Sequence, residues 1–295
     1  MIDNIQALIA LSETGTVTKA ASKLHLSQSA VTKRIQNLEF DVGYELIERS
    51  GRNVVLTSQG LRLLQKARPI IAELNEVIAE ESSEATGAIT MTVSESVLYS
   101  WGAKAFSKIQ KQNPNIELII NSHSSRIAID KVRSGEQMLT IAPGKKENTP
   151  DLDSRLLIEE PMVIIPSGLS EFKFPKKGCL EVISSEKSEA TWPAIQPSMA
   201  CFHKKSPFKI KMVKEIQSFA AVLKMAESGF GHGLLPIGVV RSFKIPCSKL
   251  VRLPAPGIKR PISIIGRPTT LNRTLVKKFT SSLGKYLESS SLLDD

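Results

Sequence analysis

The chain has 295 residues, 41% of them hydrophobic and 23% charged, with a formal net charge of +10. That is the composition of ordinary globular domains, long enough for two or three with sizeable cores. No apolar run approaches the roughly 18–20 residues that span a bilayer, and "MIDNIQALIALSETG" lacks a basic leader, so a cytoplasmic protein is expected. The charge is unevenly spread: residues 1–87 hold 9 Lys/Arg against 11 Asp/Glu, and residues 88–295 hold 30 against 18. Net charge alone therefore does not establish DNA binding.

The first 15 residues place Ile5, Leu8 and Ile9 at helical spacing and break at Gly15. A second helix follows, capped by Thr16 or Thr18, with Ala20, Ala21 and Leu24 inward. After the turn "HLS", Ser27 is placed to cap a third helix with the stripe Val31, Ile35 and Leu38, closed by Gly43. "ELIERSGRNVVLTSQG" reads as a hairpin turning at Ser50–Asn53. Thr57 or Ser58 opens a long helix to about Ser83, interrupted by Pro69. Its Leu64, Ala67, Ile71, Leu74 and Ile78 recur as a heptad seam. That seam either packs on its own domain or pairs with a second copy. A single helix between two domains has little of its own to cover it, which favours the copy. "EESSEATG" (80–87) marks a boundary.

Beyond Gly87 the texture changes to strands alternating with helices, which argues for a mostly parallel sheet. "AITMTVS", "IELIIN" and "MLTIAP" read as strands, with helices over "LYSWGAKAFSKIQKQNP" and "SRIAIDKVRSG". A second unit has strands at "PMVIIPSG", "CLEVIS", "SMACFH" and "GLLP" and a helix at "SFAAVLKMAESG". The strand "PISIIG" and a helix from about Leu271 to Ser289 close the chain. Crossings near 160 and 267 would give two lobes with a cleft between them.

The chemistry-bearing motifs are few. Cys179, Cys201 and Cys247 show no CxxC spacing and read as small packed residues, with a redox pair of Cys179 and Cys201 as the alternative. The four histidines have no metal-ligand spacing, and no GxSxG elbow or phosphate-binding GxxxxGK[ST] occurs, so no enzyme, metal or cofactor is expected. Gly229–Gly233 closes a helix and opens a strand, the reverse of a dinucleotide-binding loop.

The third helix is different. Gln28, Ser29, Thr32, Lys33 and Gln36 all lie off its apolar stripe, near the N-terminal end that a groove-reading helix presents. Gln reads adenine, Lys reads guanine, and Thr meets a thymine methyl or a phosphate. Arg34 and Lys19 would sit nearer the phosphates.

These residues carry a resemblance. Residues 1–66 closely resemble the winged helix-turn-helix of LysR-type transcriptional regulators, through Ala20–Ala21, Leu24, Ser27–Gln28–Ser29–Ala30–Val31–Thr32, Ile35, Leu38–Glu39, Gly43, Leu46, Glu48–Arg49, Leu56–Thr57 and Gly60. Ile47 stands where the family usually has Phe. The resemblance implies that Gln28, Ser29, Thr32 and Lys33 face DNA, that Arg52 in the wing reaches the minor groove or phosphates, and that Thr57 caps the next helix beside the backbone. It also implies a dimerisation helix over 58–83. It continues more weakly through 88–288, where "QNPNIEL" and "SFAAVLKMAESGFGHGLLP" match effector-domain elements and Met138 departs from a usual acidic residue.

The expected fold class is α+β multidomain: an N-terminal winged helix-turn-helix (1–57), a linker and dimerisation helix with a hinge (58–87), and a C-terminal effector domain (88–295). The last is α/β and two-lobed, like a periplasmic binding protein, with lobe I at about 88–160 and 268–295 and lobe II at about 161–267. A small-molecule effector would sit at strand ends and helix N-termini in the cleft. Ser94, Glu95, Ser96, Ser122, His123, Ser124, Phe202, His203 and Ser218 are the candidates. The basic excess points to an acidic effector and Glu95 to an amine, a choice left open. The expected partners are promoter DNA, an effector, RNA polymerase and further copies of the chain as a dimer or tetramer. The competing reading is a small-molecule-binding or redox-sensing oligomer in which DNA binding is secondary.

Overall fold

The computed structural model describes residues 1–50, 53–80, 86–123, 125–144, 151–185 and 190–290. Two compact units emerge, Met1–Glu81 with Ser134–Glu136, and Ser82–Arg133 with Gln137–Asp295.

The first unit opens with three helices, α1 (Ile2–Thr14), α2 (Val17–Leu24) and α3 (Gln28–Val42). Polar caps set their boundaries. The Thr16 hydroxyl accepts from the Lys19 amide at 3.3 Å and the Ser27 hydroxyl from the Ala30 amide at 3.1 Å. Such caps satisfy amides that a helix start leaves orphaned. Gly43 ends α3 at φ 79°, in the left-handed region that glycine enters without strain. Leu8, Leu11, Ala21, Val31, Ile35 and Leu38 form the core between the three helices.

Strands β1 (Ile47–Ser50) and β2 (Asn53–Leu56) pair antiparallel as the expected hairpin. Glu39 fastens it to α3, accepting from the Leu46 amide at 2.8 Å and the Ile47 amide at 3.3 Å. Helix α4 (Ser58–Glu80) follows, started by Thr57, whose hydroxyl accepts from the Gly60 amide at 3.0 Å. A Cβ at Gly60 would overlap the Leu46 carbonyl, so only glycine lets α4 approach the hairpin this closely. Of the heptad seam, Leu64 joins the helix-turn-helix core, and Ala67 and Ile71 are buried within the single chain. Among the described side chains, the large apolar residues that α4 leaves exposed are Leu61, Ile70 and Ile78. The expected seam is thus half spent inside the chain. Part of the boundary segment, 81–85, lies outside the described residues.

The second unit is built on one mixed sheet. In chain order its elements are β3 (Gly87–Val93), α5 (Glu95–Val97), a π turn (Leu98–Gly102), α6 (Ala103–Gln112), β4 (Ile116–Ser122), α7 (Ser125–Arg133), β5 (Leu139–Pro143) and β6 (Asp153–Ile165). Then come β7 (Gly178–Ser185), α8 (Thr191–Lys205), β8 (Phe208–Ile216), α9 (Phe219–Glu227), β9 (Gly233–Pro236), α10 (Ile237–Ser242), β10 (Val251–Arg252), β11 (Lys259–Gly266), α11 (Pro268–Asn272) and α12 (Thr274–Ser289). The strand order is β4-β3-β5-β11-β6-β9-β7-β8, with β10 on β6. β3 runs parallel to β4 and β5, β7 parallel to β8 and β9, and β11 antiparallel to β5 and β6.

Two separate cores define two lobes. One draws on Ile89 to Ile158 and on Ile262 to Leu287; the other runs from Met162 to Ile258. The long strand β6 passes from one to the other, pairing β11 at first and β9 over its last four residues. The return crossing differs from the expected one near 267. Residues Ile262–Gly266 of β11 already pair with β5, so the chain re-enters the first lobe at the beginning of "PISIIG".

One strand expectation changes. "SMACFH" lies in helix α8, where Ile195, Met199 and Phe202 are buried at spacings of four and three, a helical rather than an alternating pattern. The strand next to β7 is instead β8, in which Phe208 and Ile210 are buried and Lys209 and Lys211 exposed. All three cysteines are exposed and free, not packed, so each stands at the surface rather than in a core.

Candidate functional site

Two regions gather polar side chains. On α3, Val31, Ile35 and Leu38 turn inward, and Gln28, Ser29, Thr32, Lys33 and Gln36 are exposed. Some of these groups are already held by the fold. The Thr32 hydroxyl donates to the Gln28 carbonyl at 2.9 Å, and the Ser29 hydroxyl shares a 2.9 Å hydrogen bond with Ser27. Arg34 is half-buried and reaches Asp3 of α1 at 3.2 Å. Thr57 spends its hydroxyl twice, accepting from Gly60 and donating to the Glu45 carbonyl at 2.9 Å. Gln28, Lys33 and Gln36 remain as long, outward groups with no partner among the described residues. Arg52 lies outside those residues.

The second region lies between the lobes. Ser94 follows β3, and the neighbouring strand β4 ends at Ser122, which is registered opposite Val93. Ser122 and His123 are exposed there; Ser124 lies outside the described residues. From the other lobe, Ser218 caps α9, accepting from the Ala220 amide at 3.2 Å, and its hydroxyl donates to Glu95 at 3.3 Å. Ser94, Glu95, Ser96 and Ser218 therefore meet across the cleft.

Phe202 and His203 do not. They lie near the C-terminal end of α8, with Phe202 fully buried in the second lobe's core. The His203 Nε2 accepts from the Ile210 amide at 3.0 Å. The expected strand placed them at the cleft; the helix carries them to its far end.

At the cleft floor lies a cluster that the residue-by-residue reading missed. Arg260 of β11 and Glu160 of β6 are cross-strand partners at the crossing between lobes, both buried. The guanidinium donates to Glu160 at 2.5 Å, to Ser96 at 2.8 Å and to Thr191, at the start of α8, at 3.4 Å. Glu160 also accepts from the Ser100 hydroxyl at 2.6 Å and the Gly238 amide at 3.1 Å. The Phe219 ring lies 5.6 Å from the guanidinium. Helices α5, α8, α9 and α10 and the π turn, drawn from both lobes, thus each send a residue to this pair. A buried charge is tolerated only when so compensated. The signal in the sequence was a charge followed by proline inside an apolar strand, "EEP" and "KRP". Proline cannot donate to a ladder and belongs where pairing is interrupted.

The three-helix-and-hairpin geometry of the first unit has close counterparts. Residues 2–61 match the bacterial regulatory helix-turn-helix protein, lysR family. The chain is 28% identical over 289 residues to an uncharacterized HTH-type transcriptional regulator of Vibrio cholerae, covering 96% of this chain and 95% of that one. Residues 2–61 therefore form a helix-turn-helix domain of the lysR family.

Beyond that domain the chain shares its fold with solved full-length structures. Full-length OxyR from Pseudomonas aeruginosa, in a cysteine-to-aspartate variant, superposes with a TM-score of 0.74 at 17% identity, covering 96% of this chain and 97% of that chain. Full-length CbnR complexed with its target DNA gives a TM-score of 0.61 at 19% identity, over 97% and 99%. Among the described residues, no group of three or more His, Cys, Asp or Glu is arranged to hold a metal ion. No described helix is long and apolar enough to cross a membrane.

Proposed function

We propose that this cytoplasmic LysR-type chain is a sequence-specific regulator without catalytic activity, which reads promoter DNA with α3 and answers to a small molecule held between its lobes. One observation carries the reading: α3 buries its whole apolar stripe and turns Gln28, Thr32, Lys33 and Gln36 outward together. Gln and Lys at that end of a helix match the donor and acceptor pattern of major-groove edges. The DNA complex of CbnR, a protein of the same fold, supports it.

In this reading 1–57 binds DNA, 58–87 links and 88–295 regulates. Two copies pair along α4 through the face that carries the exposed Ile70 and Ile78, with the half-buried Leu74 between them. Ser94, Glu95, Ser96 and Ser218 face the effector, and Ser122 and His123 stand at the rim. RNA polymerase is the partner through which a bound regulator would act. Effector binding shifts the lobes about β6 and β11, and with them the spacing of the paired recognition helices.

Footprinting of the full-length protein on the DNA upstream of its own gene tests the first claim. Protection is expected with the natural protein and is expected to disappear in a Thr32→Ala/Lys33→Ala variant that still folds. Equal protection by both would refute it.

A further inference from the structure

Part of the chain's basic excess gathers away from the cleft. Thr191, at the start of α8, touches Arg260 at the crossing between lobes. α8 then runs 15 residues away from it, which at 1.5 Å per residue is about 20 Å. At its far end stand Lys204 and Lys205, both exposed. β8 begins three residues later, and its Phe208 is registered opposite Gly178, the first residue of β7. Lys176 and Lys177 precede Gly178 and Lys209 follows Phe208, again all exposed. Five lysines from three segments therefore converge on one pole of the second lobe, the pole opposite the cleft. Among the described residues none of the five has a carboxylate partner, whereas Lys211 nearby is paired with Glu181 at 3.2 Å. Burial, and then the charge of Lys209, hold the His203 imidazole beneath this pole below its ordinary range.

We propose that this pole docks the phosphate backbone of duplex DNA without reading its sequence. The proposal rests on the regulatory reading above, which places the protein on DNA. Edge protection explains a lysine on β8, and a helix C-terminus favours cations. Neither explains Lys176 and Lys177, nor five unpaired charges together. A protein partner is the weaker fit, because protein interfaces are depleted in Lys and built around Trp, Tyr and Arg anchors. Lysine is a point charge suited to phosphates. Residues 1–68 carry 9 Lys/Arg against 6 Asp/Glu, so phosphate contacts from a second basic surface would add to the counterion release of the helix-turn-helix unit.

The test is the salt dependence of affinity, measured with full-length protein on a mixed-sequence duplex and on the DNA upstream of its own gene. Each phosphate contact contributes a slope of about −0.9 in log K against log salt. A K176Q/K177Q/K204Q/K205Q variant is expected to bind both duplexes with a shallower slope, by about two to four. A control, K104Q/K108Q/K277Q/K278Q, removes the same charge from the other lobe and should leave the slope closer to that of the natural protein. A pole variant with the natural slope, or one that changes no more than the control, overturns the proposal. So does a pole variant whose only defect is loss of self-association. If the natural protein bound neither duplex, the regulatory reading would fall as well, which separates the two failures. Circular dichroism and a matched thermal midpoint establish that each variant is folded.

Discussion

Glu160 and Arg260 show what a single pair of residues does at the junction of two cores. Their ion pair is buried and makes further hydrogen bonds to Ser96, Ser100, Thr191 and Gly238, while the Arg260 Nε–H has no partner among the described residues. Breaking such a pair on one side leaves an uncompensated charge, which costs about 3–5 kcal/mol. Glu160→Gln is therefore expected to lower the urea midpoint of the second unit sharply. Replacing both partners with apolar residues, Glu160→Leu with Arg260→Met, should recover most of that loss. If the single and double variants were equally unstable, packing rather than charge would govern the site. On α3 the same logic separates faces: Ile35→Ala should destabilise the first unit by about 2–5 kcal/mol. Gln36→Ala, on the exposed side, should leave stability within about 0.5 kcal/mol and change only DNA affinity, as paired unfolding and gel-shift titrations would report.

Among the elements, α4 carries the clearest division of labour. Its Leu64 is part of the helix-turn-helix core, while Leu61, Ile70 and Ile78 face out. Ile70→Glu with Ile78→Glu is expected to yield a folded monomer by light scattering. Leu64→Glu should instead unfold the first unit, because a charge would enter a core with no partner. The long helix was legible from its period and its Thr57 cap. Which part of its seam the chain itself covers was not, because that depends on α1 and the hairpin folding back upon it. α8 is the converse case. Its helical burial at Ile195, Met199 and Phe202 was written in the sequence, yet two prolines and β-favouring neighbours made a short apolar run look like a strand.

Across the whole molecule, acid should loosen the second lobe. The imidazoles of His203 and His232 are both held below their ordinary range, chiefly by burial. Each accepts a backbone hydrogen bond, His203 from Ile210 and His232 Nδ1 from Ser167, both at 3.0 Å. The unfolded chain thus binds more protons than the folded one just below the ordinary histidine pKa of about 6.5. Stability from these groups is complete above that value and is lost as the pH falls through the folded pKa values. Urea midpoints should drop between about pH 7.5 and 5.5, and the His203 and His232 imidazole resonances should titrate below about 6.5. Resonances titrating above that value would reverse the sign.

What the sequence determined is what rests on neighbours along the chain. Caps at Thr16, Ser27 and Thr57, the stripe of α3 and the hairpin that pairs Ser50 with Asn53 act over a few residues, and helical and strand periods express them directly. Tertiary structure decided whatever joins distant segments. Glu160 meets Arg260 a hundred positions later, Glu95 meets Ser218, and Lys176 comes to share a pole with Lys205. No local pattern encodes those meetings. They follow from sheet order and from the two strands that cross between lobes, which fix distances that spacing along the chain leaves free.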